Sequence, residues 1–435
     1  MTLTRLDIGT FAIGYWLFDL SHIILIKMPK KEIVLSPKTT LWLEFMDPTP
    51  WSSTQILQKN YRELYQKVQS DLVVKEIAWN AYQDSDFWSS LKAMNLSTVI
   101  LADMRFDLVH WLPLIQKNLS SEISIQVHIY GNPIKRMMRL DQASIDFTSL
   151  KLSFIVGSTV QQEVFEKILN DSKNVTYLPF IPDAYVFNSE KRLNWREKNH
   201  FQNEKLFLYS GRISFQKNVT HLMDLFALHA QSHPNSRLII AGAPDNLNWR
   251  EIPRANYLNY AGEVFFEKLQ ILTHQGIPIS YLGKLTHSEL EDVYSGCDHF
   301  LSLSTFDGED FGLSIAESLS VGLPGSLTAW GGYKEFQDLP QVQLVGVEIQ
   351  QGQMGIDHAQ WLQALDFVST DRIQNIEQFN LWKTKRETQC LKILRQAKHC
   401  TFQGFNQTFK NSCRDQFKTG EFFEREKEFL SSYWD

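Results

Sequence analysis

Thr305 to Pro324 reads TFDGEDFGLSIAESLSVGLP, and the rest of the chain is organised around it. Two carboxylates, Glu309 and Glu317, stand in it with seven residues between them. The preceding run His299-Phe300-Leu301-Ser302-Leu303-Ser304 reads as a buried strand. Asp310-Phe311-Gly312-Leu313-Ser314 reads as a loop turning into a helix, and Val321-Gly322-Leu323-Pro324 closes that helix with a glycine cap and a proline stop. A strand, an acidic glycine loop and a helix place free backbone N–H groups at the end of a parallel sheet. Such a site favours anions, phosphate above all.

A chain of 435 residues exceeds one ordinary core, so two domains are expected. Apolar content of 43% and charged content of 21% are those of soluble globular proteins. A net charge of −6 argues against a general nucleic-acid binder. Cys297, Cys390, Cys400 and Cys413 show neither metal spacing nor a disulfide framework, which fits reduced thiols in the cytoplasm. The opening MTLTRLDIGT lacks the order of a signal peptide, and Asp19, His22 and Lys27 interrupt the apolar stretch Phe11–Met28. Lys27, Lys30 and Lys31 offer cations for peripheral contact with the inner membrane face.

In the first half, β-branched apolar runs at 23–26, 98–101, 124–129, 154–157 and 175–178 alternate with helical patterns such as 54–68 and 160–169. This predicts a parallel α/β sheet. Pro179 to Asn203, with two prolines and a charged run, reads as boundary and linker. The second half alternates more cleanly. Strands are expected at 206–210, 237–241, 278–282, 299–304, 323–329 and 343–347, with helices at 219–232 and 263–275 and mostly helix from His358 onward. Thr286-His287-Ser288-Glu289 is a capping box. The expected architecture is two doubly wound, Rossmann-like α/β domains facing across a cleft, spanning 1–190 and 200–400. A helical segment at 401–435 packs back on the first.

Ser210-Gly211-Arg212-Ile213-Ser214-Phe215-Gln216-Lys217-Asn218 ends one of these strands. Arg212 and Lys217 bring two cations to the mouth of the sheet, with Asn218 as N-cap of the next helix. They match a diphosphate, or form a solvated basic loop. Glu317 lies more than a turn into its helix, where it can accept hydrogen bonds from a ribose diol or lie on the surface. Glu309 can take sugar hydroxyls, or, with Asp310, favour the helix dipole alone.

Together, GRISFQKN, RLIIAG, YLGKLTHSELEDVYSGCDHFLSLS, EDFGLSIAESLSVGLP and WGGYKEF, in this order over about 205–336, resemble the nucleotide-sugar domain of family 4 glycosyltransferases. These are retaining enzymes of the GT-B fold. The resemblance implies a retaining transfer from a UDP- or GDP-linked sugar to an acceptor hydroxyl of a carbohydrate, lipid-linked or protein acceptor. It assigns the donor diphosphate to Arg212, Lys217, Gly312 and Leu313. The donor sugar falls to Glu309, Asp310 and Phe311, the ribose to Glu317, and the base to Gly283-Lys284-Leu285. Beyond the co-substrate no cofactor or metal is implied. The sequence departs from the family pattern at Asp310, where glycine is common, at Ser314, a frequent proline, and at Gly325-Ser326.

The first half resembles the family less. His128, at the end of QVHIYG, is a candidate acceptor-orienting catalytic residue or a structural histidine. Gly14 is the candidate for a donor-proximal loop, and Arg105, Arg136 and Arg139 either line an acceptor cleft or are ordinary surface arginines. The alternatives are a GT-B epimerase or phosphorylase, and a non-catalytic GT-B subunit that stabilises a partner transferase.

Overall fold

The computed structural model of the chain describes residues 39–47, 52–103, 105–131, 150–169, 173–201, 203–244, 260–305, 309–350, 353–367 and 371–397. The first domain runs β1 (Thr39–Phe45), α1 (Ser52–Val68), β2 (Leu72–Ile77), α2 (Ser85–Lys92), β3 (Leu96–Leu101), α3 (Leu108–Asn118) and β4 (Ser124–His128). It continues through β5 (Lys151–Val156), α4 (Thr159–Leu169) and β6 (Val175–Tyr177). A helix α5 (Ser189–Lys198) leads to the second domain: β7 (Lys205–Ser210), α6 (Val219–Ser232), β8 (Ser236–Ala241), α7 (Tyr260–His274), β9 (Ile279–Gly283) and α8 (His287–Gly296). Then follow β10 (His299–Ser302), α9 (Leu313–Ser320), β11 (Gly325–Thr328), β12 (Val342–Val345), the pair β13 (Val347–Gln350) and β14 (Gln353–Ile356), α10 (His358–Leu365) and α11 (Arg372–Ala397).

Two six-stranded sheets result, ordered β2-β1-β3-β4-β5-β6 and β12-β11-β10-β7-β8-β9, with parallel pairing throughout. This is the expected pair of Rossmann-like sheets. Both faces of each sheet are covered, so the strands read as apolar runs whose successive residues enter opposite cores. Along β7, Leu206 and Leu208 enter one core while Phe207 and Tyr209 enter another. Along β3, Val99 and Leu101 face the core containing Trp111 and Phe165, whereas Ile100 faces the opposite one. Each large side chain so buried contributes about 1.5–3 kcal/mol.

One core is shared by the two sheets. It joins Trp42, Tyr61 and Phe180 of the first domain to Phe300, Phe311 and Ile315 of the second. Phe379, Cys390 and Leu394 of α11 complete it. From α11, Glu387 pairs with Lys67 of α1 at 2.6 Å, and the Cys390 thiol donates to the Pro179 carbonyl at 3.2 Å. α11 therefore ties the end of the second domain back to the first.

Three local expectations change. The stretch read as a linker contains α5, whose Asn188 cap accepts from the Lys191 N–H at 2.9 Å. Its cations Arg192 and Arg196 bind the carbonyl end of α8 and the Asp298 carboxylate, where the negative pole of the helix dipole lies. The strand expected at 343–347 is β12 followed by a separate antiparallel pair. β1 and β2 stand where no strand was expected. The capping box at Thr286 and Glu289 forms as read.

Candidate functional site

In the second sheet β7 and β10 are neighbours, pairing Phe207 with His299 and Leu208 with Phe300. From β7 the order runs outward through β8 and β9, and from β10 through β11 and β12. The chain thus reverses direction of travel between β7 and β10. Loops leaving the two strands at such a switch point diverge and open a crevice at their carboxyl ends. The cationic stretch at 210–218 leaves β7 and the acidic loop leaves β10, so the fold brings together the two segments that sequence placed on one sheet.

The two loops are stitched to each other. Asn218 takes a left-handed conformation (φ 51°) before α6. Its side chain does not cap that helix, as sequence suggested. It donates to the Leu303 carbonyl and to Thr305 Oγ1, each at 2.9 Å. The Thr305 N–H donates to the Gln216 carbonyl at 3.1 Å. Across this seam Lys217 Nζ forms an ion pair with Glu309 Oε2. Ser304 Oγ donates to the same oxygen at 2.9 Å. Burial alone would raise the Glu309 pKa, but Lys217, Ser304 and Tyr333 together hold it below the usual carboxylate value.

The Glu309 backbone is seated from beneath by the tight turn Gly331-Gly332. The Gly332 N–H donates to the Glu309 carbonyl at 2.6 Å. A Cβ on Gly332 would lie 2.0 Å from the Asp310 carbonyl, so only glycine permits this approach. Helix α9 then starts at Gly312 (φ 92°), and its first bonds run from the Ile315 and Ala316 N–H groups to the Gly312 carbonyl, each at 3.1 Å. The N–H groups of Leu313 and Ser314 precede those bonds and have no partner within the helix.

Glu317, on α9, accepts from the Tyr294 hydroxyl at 2.9 Å. It is half-buried rather than fully exposed. Burial chiefly pushes its pKa up to about 7, the Tyr294 bond opposing and Asp183 assisting. The Gly283-Lys284-Leu285 turn ends β9 at the same edge of the sheet, with Gly283 accepting from the Gly242 N–H at 2.8 Å. Arg212 follows β7, and its carbonyl accepts from the Tyr209 hydroxyl at 2.6 Å.

One expected site residue is corrected. His128 ends β4 but is 1% exposed, walled by the rings of Trp42, Tyr61, Tyr65 and Tyr130. Burial pulls its pKa down to about 3, and its Nε2 lies 3.3 Å from the Tyr65 hydroxyl. It is a neutral packing residue of the shared core. The Phe311 side chain is core, 2% exposed against Phe180, Phe336 and Trp382, so the ligand contact expected of the Phe311-Gly312-Leu313 stretch falls to its backbone. Arg105 is held by Asp103 at 2.6 Å and lies over Phe45. Gly14, Arg136, Arg139, Lys27, Lys30, Lys31 and the segment 401–435 lie outside the described residues.

Sequence reading missed a second set of groups beside the site. Glu335, in the WGGYKEF stretch, accepts from the Thr159 N–H (2.8 Å) and Oγ1 (2.7 Å), the Tyr177 hydroxyl (2.6 Å) and Arg386 Nη1 (2.8 Å). Burial would raise its pKa, but Arg386, Tyr177 and Thr159 hold it below the usual value. One carboxylate thereby joins the first domain, the second and α11. No local pattern announced it, because Lys334 stands beside Glu335 and the pair reads as an ordinary charged turn.

Residues 191–338 match the family described as Glycosyl transferases group 1. This segment of the chain resembles a domain of that family, and the two six-stranded parallel sheets have the arrangement of the GT-B fold. An uncharacterized glycosyltransferase of Methanocaldococcus jannaschii is 24% identical over 237 residues, 52% of this chain and 53% of the relative. Mannosylfructose-phosphate synthase of Agrobacterium fabrum is 27% identical over 128 residues, 29% of this chain and 26% of the relative. The chain thus spans about half or less of the curated relatives it matches. In fold it is similar to Anabaena HepE in complex with UDP (TM-score 0.51, 14% identity, 88% of this chain and 99% of that one). It is also similar to an E. coli protein described as trehalose-6-phosphate, bound with UDP-2-fluoro glucose (TM-score 0.53, 8% identity, 83% and 98%). Among the described residues no helix is long and apolar enough to cross a membrane.

Proposed function

We propose that the chain is a retaining glycosyltransferase that moves a sugar from a UDP-linked donor to an acceptor hydroxyl. The observation that carries this reading is the Lys217–Glu309 ion pair at the β7/β10 switch point, beside the start of α9. Without donor the two charges neutralise each other in a buried place. A diphosphate arriving at the α9 N-terminus would compete for Lys217, with Arg212 as second cation. The released Glu309 carboxylate would then accept hydroxyls of the donor sugar next to the reacting carbon. Glu317 would accept the ribose hydroxyls, giving up its proton on binding. The Gly283-Lys284-Leu285 turn would seat the base.

Catalysis would rest on placement and on stabilising the leaving diphosphate as charge develops. The leaving phosphate oxygen is the base nearest the incoming hydroxyl, so no separate strong base is required. Charge compensation by Arg212 and Lys217 is the part a divalent cation would otherwise play. The acceptor would enter from the first domain, and the work would be cytoplasmic.

The test is incubation with UDP-, GDP- and ADP-sugars. Mass spectrometry reads donor consumption, and NMR reads the anomeric configuration of the product. Consumption of a UDP-sugar with retained configuration supports the reading, and inversion or no consumption of any donor overturns it.

A further inference from the structure

At the opposite edge of the second sheet, α6 ends in His229 and His233, one turn apart on the same face. Their rings stack with centroids 4.0 Å apart and planes 8° from parallel. Facing them is Asp366, which follows α10. His229 Nδ1 lies 3.5 Å and His233 Nε2 lies 3.4 Å from Asp366 Oδ1. The two nitrogens and the carboxylate oxygen all fall within 4.8 Å of one another. We propose that His229, His233 and Asp366 form a zinc site that fastens α10 to α6, remote from the donor crevice.

Two features favour a metal over a simple His–Asp pair. The first is spacing. Ligands about 2.1 Å from a tetrahedral zinc sit roughly 3.4 Å apart, and both nitrogen–oxygen distances match that edge. The two rings as they stand are parallel, and an imidazole lone pair lies in its ring plane, so metal binding requires the half-exposed His233 to turn out of the stack and close the nitrogen–nitrogen edge. The second is direction. His229 is 3% exposed and its Nε2 is buried with no hydrogen-bond partner among the described residues, so Nδ1 is the nitrogen it offers outward.

Two imidazoles and one carboxylate suit zinc better than magnesium or calcium, which prefer all-oxygen shells. Lys205 is the opposing neighbour. Its ammonium is directed to the Leu365 carbonyl at 3.1 Å and lies over the Phe207 ring, and its repulsion is a cost that zinc binding has to offset. The exposed side of Asp366 leaves the fourth position to water. A second histidine pair on the same two helices, His221 and His358, has nitrogens 3.2 Å apart. Among the described residues no third ligand completes it, and it serves as a control.

The full chain, stripped with chelator, is dialysed against zinc alone and its metal content is counted. One zinc per chain is expected, with a raised melting temperature. His233→Ala and Asp366→Asn, both at exposed side chains, should each weaken binding roughly 10-fold or more, and His358→Ala should not. Cobalt substitution should give the visible absorption of a four-coordinate site in the wild type and not in these two variants. No zinc bound by the wild type, equal binding by both variants, or loss only in His358→Ala overturns the proposal. The thermal shift with UDP is read on the same samples and stands apart from either outcome.

Discussion

The Asp310 carboxylate accepts a hydrogen bond from the Gly131 N–H, across the gap between the two sheets. Gly131 is fixed from its own side, since its carbonyl accepts from Gln161 Nε2 at 3.0 Å. Asp310 stands where a family 4 glycosyltransferase commonly has glycine. Its charge is used to hold the turn after β4 against the loop that precedes α9.

A charge-assisted bond to a backbone N–H is worth about 1.5–3 kcal/mol. Asp310→Ala should therefore lower kcat/KM for transfer roughly 10-fold or more, because the domains no longer close in register. The thermal shift with UDP should change little, since the proposed nucleotide contacts lie in the second domain. Steady-state kinetics beside the thermal shift checks this. Unchanged kinetics would show that the bond is dispensable.

Arg386 is the cationic partner of Glu335, with 9% and 3% of the two side chains exposed. It also donates to the Phe180 carbonyl at 3.1 Å. Arg386→Met strands a buried carboxylate and should cost about 3–5 kcal/mol in urea unfolding. Adding Glu335→Gln to that variant should restore part of the loss. A double variant no more stable than the single would contradict the pairing.

Glu317 predicts a pH dependence. Its folded pKa, about 7, lies above the ordinary carboxyl value, so the folded state favours the protonated form. The stabilising contribution is complete below the ordinary carboxyl range and is lost as pH rises through about 7. Wild-type stability should fall over that window relative to Glu317→Gln. If the carboxylate receives ribose, UDP affinity should rise with pH across the same window and stay flat in Glu317→Gln. Calorimetry in two buffers of different ionisation enthalpy reads the released proton directly.

Much of the second sheet was legible because it is built from local signals. The β10 run, the glycine start of α9 and the Thr286–Glu289 box each declare themselves within a few residues. What escaped depends on distant partners. Glu335 meets Thr159, Tyr177 and Arg386, and Asp310 meets Gly131, with no local pattern to announce either contact. His128 misled for the same reason, since a strand-end histidine reads alike whether it faces a cleft or four aromatic rings. α5 was hidden because its charges, which look like a solvated run, bind the end of α8.

The central claim is that Lys217 and Glu309 form the donor-sugar site. It is tested most directly by measuring sugar transfer and UDP binding in Lys217→Ala and Glu309→Ala. The account predicts that transfer falls roughly 100-fold or more in both folded variants. UDP binding should weaken in Lys217→Ala and persist in Glu309→Ala. Full transfer activity in both variants would contradict it.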